Sequence, residues 1–142
     1  MPQSFSIKPI GVVQKTDDFT RIEIFDEYTD GLLGLEGFSH ILVLYWFDQN
    51  DTPGKRQTLQ VHPRKDPSNP LTGVFATHSP RRPNLIALTR CKIVAITGHI
   101  IEIEDIDAID DSPVIDIKCY IPSEDEAVRL PDWARMNRKD TH

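Results

Sequence analysis

Residues 72–89, T-G-V-F-A-T-H-S-P-R-R-P-N-L-I-A-L-T, are the segment around which the chain is organised. Residues 73–77 predict a short apolar strand, and residues 85–89 begin a second apolar run. Between them, Pro80 and Pro83 fix two φ angles near about −65° and push the preceding residues toward extended backbone. The segment 78–84 is therefore predicted to be a stiff loop that presents an imidazole, a hydroxyl, two guanidiniums and a carboxamide. The same residue types are also typical of an ordinary surface turn whose arginines face water.

The sequence on either side consists of short apolar segments separated by turn signals. Residues 39–47 are almost wholly apolar and predict a strand buried on both faces. Residues 86–101 predict one long strand that bends at Gly98, and the glycines within 26–38 limit that segment to one or two helical turns. Many short strands with little helix favour an all-β barrel or sandwich. The predicted strands are 5–14, 21–25, 39–47, 57–61, 73–77, 86–101, 101–106 and 114–121.

The charges are divided unevenly along a chain of 142 residues with a net charge of −6. Residues 55–92 contain eight Lys or Arg against the single acid Asp66, whereas residues 102–126 contain ten acids against Lys118. The length is that of one domain, and the negative total argues against nucleic-acid binding over the whole surface. One basic region could still meet phosphates, although both regions could equally be ordinary solvated faces.

Several classes of site have no support in the sequence. Cys91 and Cys119 are far apart and predict free thiols, and the five histidines show no metal-ligand spacing. There is no dinucleotide-binding glycine motif, P-loop, zinc-protease motif or nucleophile elbow. There is also no apolar run of membrane-spanning length and no signal-peptide pattern at residues 1–10. These observations predict a cytoplasmic protein without a metal, a membrane segment or a Rossmann-type cofactor site.

Three sequence blocks together resemble the TrmO/YaeB-like family. They are L-E-G-F-S-H followed by V-L-Y-W-F at residues 35–47, the loop residues G-V-F-A-T, S-P and R-P-N at 73–84, and D-A-I-D-D-S-P-V-I-D-I-K-C-Y at 107–120. The resemblance implies a closed β-barrel of about six or seven strands with short helical turns at residues 1–122, followed by a polar tail at 123–142. It also implies a homodimer in which barrel loops bind S-adenosyl-L-methionine close to the subunit interface, and tRNA as the substrate.

The resemblance also implies site residues. The predicted catalytic residues are Asp110, Asp111 and Arg82. The predicted cofactor contacts are Asp48, Gln49, His78, Ser79, Leu88, Asp110, Asp111, Ser112 and Pro113. The predicted RNA contacts are Arg64, Lys65, Arg81, Arg82 and Asn84.

This sequence departs from the family pattern at several of these positions. His78 stands where the family usually has arginine, Asp48 where it often has histidine, and Leu85 where it has proline. Asp111 and Ser112 replace a Gly-Thr pair, and Cys119 replaces a proline. A mostly neutral imidazole cannot replace the permanently charged, bidentate guanidinium. Three consequences of the exchange at position 78 stay open: a weaker cofactor affinity, an offset by Arg81, or a different substrate.

The activity implied by the resemblance is N6-methylation of threonylcarbamoyl-adenosine beside the tRNA anticodon. Methyl transfer from a sulfonium requires mainly alignment of nucleophile, methyl and sulfur, which rigid loops with carboxylates and carbonyls can provide. Two alternatives stay open: a cofactor-dependent enzyme with another RNA or small-molecule substrate, and a barrel that senses the cofactor without turnover.

Overall fold

The computed structural model of the protein describes residues 3–124 and 127–135. The chain divides into two compact units. The first consists of Met1–Trp46 and Leu88–Tyr120, and the second consists of Phe47–Ala87 and Ile121–His142. In the described part of the chain, no helix is long and apolar enough to cross a membrane.

A closed six-stranded barrel forms the framework of the fold, which confirms the predicted class. The strands are β1 Gly11–Lys15, β2 Thr20–Ile24, β3 His40–Trp46, β6 Ile86–Thr97, β7 Ile100–Ile103 and β8 Pro113–Cys119. Their order around the barrel is β1-β2-β7-β6-β3-β8, and antiparallel pairing of β1 with β8 closes it. Short 3-10 segments at Asp26–Leu32 and Leu35–Gly37 follow β2, as the leucine- and glycine-rich sequence there predicts.

The barrel core is built from alternate residues of each strand. Val13, Ile22, Ile41, Ile101 and Val114 are fully buried. The prediction that residues 39–47 are buried on both faces is wrong, because β3 buries only alternate side chains and leaves the others half-buried. An antiparallel barrel has one packed interior, so only one face of each strand reaches it.

Two glycines explain where the strands begin and turn. Gly98 has φ +61° and separates β6 from β7, so the predicted single strand 86–101 is instead a hairpin. Gly11 is the first residue of β1 and pairs with both Ile24 and Val114. A Cβ at Gly11 would clash with the carbonyl oxygen of Glu23, so this closing point of the barrel requires glycine. Residues 5–10, predicted to be strand, are not in a strand.

The second unit contains a two-stranded sheet of β4 Gln60–Val61 and β5 Thr72–Gly73, and a short helix α1 at Pro53–Arg56. The side chain of Thr52 caps this helix by accepting the N–H of Lys55. The predicted strand 73–77 ends at Gly73, because Val74–Ala76 form a 3-10 turn. Further 3-10 turns lie at Asp48–Asn50, Pro63–Lys65 and Asp132–Ala134.

The described part of the predicted polar tail contains one 3-10 turn, Asp132–Ala134. Trp133 is half-buried within the last 3-10 turn. The sequence also offers Met136 as an anchor of the tail beside Trp133, and Met136 lies outside the described residues.

Candidate functional site

The proline-locked loop in the second unit is held by side-chain to backbone hydrogen bonds. Thr77 Oγ1 donates to Val74 O at 2.9 Å and accepts the N–H of Ser79 at 3.1 Å. Ser79 Oγ in turn accepts the N–H of Arg81 at 3.1 Å. These local turns, together with the two prolines, provide the stiffness that the sequence predicts.

Arg82 holds the loop from within. Its Nη1 donates to Thr77 O at 3.2 Å and to Ser79 O at 3.1 Å, and the residue is half-buried. A guanidinium that bridges two carbonyls fixes the separation of these two residues. Arg82 therefore acts as a positioning residue for Thr77 and Ser79, and its predicted direct role in catalysis or RNA contact stays a prediction.

A second arginine, which the sequence reasoning did not single out, supports the far end of the loop. Arg56 Nε donates to Pro83 O at 2.9 Å, and its Nη1 lies 3.3 Å from Asp51 Oδ1. Arg56 thereby ties the short helix α1 to the loop. Its only sequence signal was its place within the basic run 55–92.

The other predicted contact residues of the second unit are exposed. His78, Arg81 and Asn84 lie on the loop with exposed side chains, and Asp48 and Gln49 are exposed on the 3-10 turn after β3. The sequence favours a core position for Phe75, because aromatic side chains are usually largely buried. This prediction is wrong: the ring is 81% exposed, because the 3-10 turn Val74–Ala76 buries Val74 and turns Phe75 outward.

In the first unit, the predicted catalytic turn 110–113 is fastened to β1. Asp111 N–H donates to Val13 O at 2.8 Å, and Val13 N–H donates to Ser112 O at 2.9 Å. Ser112 is buried, and its Oγ donates to Ile109 O at 2.8 Å. Asp111 has φ +68°, a conformation that favours glycine and tolerates aspartate or asparagine. The geometry therefore explains why this position takes a Gly in the family pattern and an Asp here.

Lys15 organises the segment that leads into this turn. Its backbone N–H donates to Asp110 Oδ1 at 2.8 Å, and its Nζ donates to Ile106 O at 2.7 Å. Nζ also lies 3.5 Å from the exposed carboxylate of Asp105. No sequence signal marked Lys15, because its partners are about ninety residues away and mostly carbonyls, which carry no residue-type signature.

The predicted site residues therefore fall into two groups. Asp110, Asp111, Ser112, Pro113 and the half-exposed Leu88 belong to the first unit, and the remainder belong to the second. That both groups contact one cofactor stays a prediction. Within residues 3–124 and 127–135, no group of three His, Cys, Asp or Glu side chains could hold a metal ion.

This barrel with its locked loops matches one known family along most of its length. The family model of the tRNA-methyltransferase O N-terminal domain matches residues 6–126, and the chain belongs to this family. The resemblance inferred from the three sequence blocks is thereby confirmed.

Individual relatives agree with this assignment. A probable S-adenosyl-L-methionine-binding protein of Methanocaldococcus jannaschii is 49% identical over 116 residues, which cover 82% of this chain and 92% of that protein. A mouse tRNA (adenine(37)-N6)-methyltransferase is 39% identical over 110 residues, 78% of this chain but 25% of that protein. The crystal structure of TrmO from Pseudomonas aeruginosa matches with a TM-score of 0.70 and 25% identity, covering 94% of this chain and 63% of that structure. The chain thus spans less than two thirds of these last two proteins.

Proposed function

We propose that this protein is an S-adenosyl-L-methionine-dependent methyltransferase that acts on tRNA. The observation that carries the proposal is membership of the tRNA-methyltransferase O family over residues 6–126. The relatives add support, since the archaeal protein is named for S-adenosyl-L-methionine binding and the mouse protein for methylation of adenine 37 of tRNA.

The described residues fit the chemistry of this cofactor. S-adenosyl-L-methionine carries a carboxylate, an ammonium and a sulfonium, and it supplies an electrophilic methyl group. Each unit offers exposed groups suited to such a ligand. The second unit has the carboxylate of Asp48 and the guanidinium of Arg81, and the first unit has the carboxylates of Asp110 and Asp111. Leu88 offers an apolar contact, being 51% exposed.

The chain's contribution to the reaction is positioning and orientation. The Arg82 clamp and the two prolines fix the loop 77–84, and β1 fixes the turn 110–113. Loops ordered before binding cost little ordering entropy and hold reacting groups in line. We assign one of the two carboxylates, Asp110 or Asp111, to accepting the single exocyclic N–H of the adenine, which directs the nitrogen lone pair toward the methyl group. The same carboxylate would take that proton as the N–C bond forms and the S–C bond of the sulfonium breaks, leaving a neutral thioether.

The basic hairpin loop of the second unit supports RNA as the substrate. Arg64 and Lys65 are exposed and have φ values of 61° and 58°. Two successive non-glycine residues in the left-handed region are costly, and such strain concentrates at functional sites. His62 Nδ1 lies 2.9 Å from Asn69 O, and Asn69 Nδ2 donates to Pro63 O at 2.9 Å, so the loop is internally braced. It can present two cations to the phosphate backbone.

We further propose that the acceptor is N6 of a threonylcarbamoyl-adenosine beside the anticodon. The competing candidate is a methyltransferase of the same class with another RNA or small-molecule substrate. His78 in place of arginine and the net charge of −6 favour that candidate.

The test is incubation of the purified protein with methyl-labelled S-adenosyl-L-methionine and unfractionated tRNA, followed by nucleoside mass spectrometry. We expect label in threonylcarbamoyl-adenosine, with undiminished transfer by a Lys8→Gln control that removes an exposed cation from the N-terminal segment. Label in another nucleoside would support the competing substrate. Cofactor binding without transfer would indicate a sensor, and absence of both would contradict the proposal.

A further inference from the structure

A group of planar and cationic side chains lies on the outer surface of the barrel, on the same face of β6 as the exposed Leu88. It comprises Arg90 on β6, His40 at the start of β3, Lys118 near the end of β8, and Tyr120 directly after β8. These three strands are neighbours in the barrel. We refer to these four residues as the β6-β3-β8 patch.

The strand registers direct these side chains outward. On β6 the buried positions are Ala87, Thr89 and Cys91, so Arg90 between them faces solvent. Lys118 pairs with Leu42, whereas the fully buried Ile41 pairs with the adjacent Cys119. Alternation along each strand therefore places both cations on the outer face.

Direct contacts join the planar groups into one surface. Arg90 Nη1 lies 3.3 Å from the Tyr120 hydroxyl, and its guanidinium carbon is 5.2 Å from the centre of the Tyr120 ring. The His40 and Tyr120 rings are 6.2 Å apart in an edge arrangement, and Ser39 Oγ lies 2.6 Å from His40 Nδ1. Tyr120 N–H donates to His40 O at 3.1 Å. The rings and the guanidinium are thus held in place before any ligand arrives.

The charge of the patch is opposite to that of the chain as a whole. Arg90 and Lys118 are exposed cations in a protein of net charge −6. Lys92, next along β6, is paired with Glu104 at 3.7 Å, but both side chains are more than half exposed and such pairs hold weakly. The outward acid on β8 is Asp116, which pairs with Leu44 farther along the strand.

We propose that the β6-β3-β8 patch is an RNA-contacting surface, at which Tyr120 and His40 stack against an unpaired base while Arg90 and Lys118 bind the adjacent phosphates. The proposal rests on the proposed function in taking RNA as the substrate, and it adds a contact surface on the barrel wall. Aromatic side chains interleaved with cations are the combination that recognises unpaired nucleotides, since every base has a face to stack and every nucleotide a phosphate. A surface that bound an acidic protein would also use the two cations, but it would not need the rings of Tyr120 and His40.

The experiment measures the affinity of the full chain for unfractionated tRNA by fluorescence anisotropy over a series of salt concentrations. The variants are Arg90→Gln, Lys118→Gln, Tyr120→Leu and Tyr120→Phe, with Lys8→Gln as a matched loss of a cation outside the patch. Melting temperature and S-adenosyl-L-methionine binding are measured on each variant to check that folding and the cofactor site are unchanged.

Each chemical role has its own expected result. Arg90→Gln and Lys118→Gln should each weaken binding several-fold at low salt and reduce the slope of log affinity against log salt by about one. Tyr120→Leu should weaken binding by about five- to a hundredfold with little change of slope. Tyr120→Phe should retain most of the affinity, because the ring and not the hydroxyl stacks.

The two proposals can fail separately. If the wild-type protein methylates tRNA and all patch variants bind like Lys8→Gln, the patch proposal is overturned and the proposed function stands. If the wild-type protein binds no tRNA at all, both are overturned. Should Tyr120→Phe lose as much affinity as Tyr120→Leu, stacking is refuted even if the cations matter.

Discussion

The backbone N–H of Lys15 donates a 2.8 Å hydrogen bond to the carboxylate of Asp110, ninety-five residues farther along the chain. The ammonium of the same lysine donates to Ile106 O at 2.7 Å and lies 3.4 Å from Ala108 O. One residue at the end of β1 therefore fixes both the approach to the candidate catalytic turn and the carboxylate within it. This arrangement makes the geometry of Asp110 depend on a residue outside the three family-like blocks.

We expect Lys15→Met to loosen the segment 105–110 while leaving the barrel folded. The aliphatic part is retained, but the ammonium bonds to two carbonyls are lost. The free energy of unfolding should fall by about 1 kcal/mol, less than a fully buried charged bond because the side chain is partly exposed. Urea denaturation measures this change, and S-adenosyl-L-methionine titration measures the effect on the site. Equal values for Lys15→Met and the exposed control Lys8→Met would contradict the positioning role.

The stability of the protein should depend strongly on which small residue occupies position 111. Its φ of +68° suits glycine and is tolerated by aspartate, whereas a Cβ without a polar group costs about 1–2 kcal/mol there. Asp111→Ala should therefore lower the unfolding free energy by about 1 kcal/mol relative to Asp111→Gly. Thermal denaturation of the two variants provides the comparison. A more stable alanine variant would mean that the left-handed conformation is absent in solution.

Stability should decline steeply in alkali because two acidic groups are buried in the barrel. Burial raises the pKa of Tyr45 and that of Cys91 to about 12. Both values lie above the ordinary values of 10.0 and 9.0, so the unfolded chain loses these protons first. The contribution of these two protonated groups to the free energy of unfolding is complete below about pH 9 and is lost as the pH rises toward 12. By pH 11 the free energy of unfolding should have fallen by on the order of 2–4 kcal/mol.

Urea denaturation between pH 7 and pH 11 tests this dependence. Cys91→Ala should reduce the fall in the free energy of unfolding that begins near pH 9, although the small cavity it leaves lowers stability at every pH. Tyr45→Phe should flatten the later part, although it removes the 3.0 Å contact with the buried Thr89 hydroxyl. Cys119→Ala leaves both buried groups in place and should retain the full decline. A flat profile in the wild-type protein would refute the explanation.

Arg82 and His78 should differ in their effect on methyl transfer. Arg82→Ala removes two hydrogen bonds that shape the loop, each charge-assisted, so we expect a loss of about ten- to a hundredfold in kcat/KM. Arg82→Lys should restore part of the activity, because the single nitrogen Nη1 makes both bonds and an ammonium also carries several N–H donors on one nitrogen. His78→Ala should cost less, and His78→Arg should leave cofactor affinity unchanged or raise it. Steady-state kinetics and calorimetric titration measure both effects. If Arg82→Ala and His78→Ala had equal activity, the positioning role of Arg82 would be contradicted.

We expect a homodimer, as the family resemblance implies. Exposed apolar side chains in the second unit, Leu59, Leu71 and Phe75, provide surface that association could bury. Phe75→Glu, at a side chain that is 81% exposed, should weaken such an interface without disturbing the fold. Light scattering of wild type and variant at equal concentration is the measurement. A monomeric mass for the wild-type protein with cofactor present would exclude the dimer.

Part of this protein could be read directly from the sequence. Local rules predicted most of the short strands and the proline-locked loop at residues 78–84, because proline geometry and alternating burial act over a few neighbouring residues. The resemblance of three ordered blocks predicted the closed barrel and the family. Errors occurred where one residue's conformation outweighs the apolar pattern, as at Gly98, where a run that reads as one strand turns back into a hairpin.

Tertiary structure alone decided how distant residues support one another. Lys15 and Arg56 act through backbone carbonyls, which every residue possesses, so no residue-type pattern in the sequence could identify their partners. The roles of Gly11, which must admit the Glu23 carbonyl, and Asp111, which must adopt positive φ, likewise appear only once the strands are in register. The outward pairing of Arg90 with Tyr120 joins residues thirty positions apart, because β6 and β8 lie on either side of β3 in the strand order. Local sequence thus determined most of the short elements, whereas long-range pairing of strands and loops determined which side chains meet.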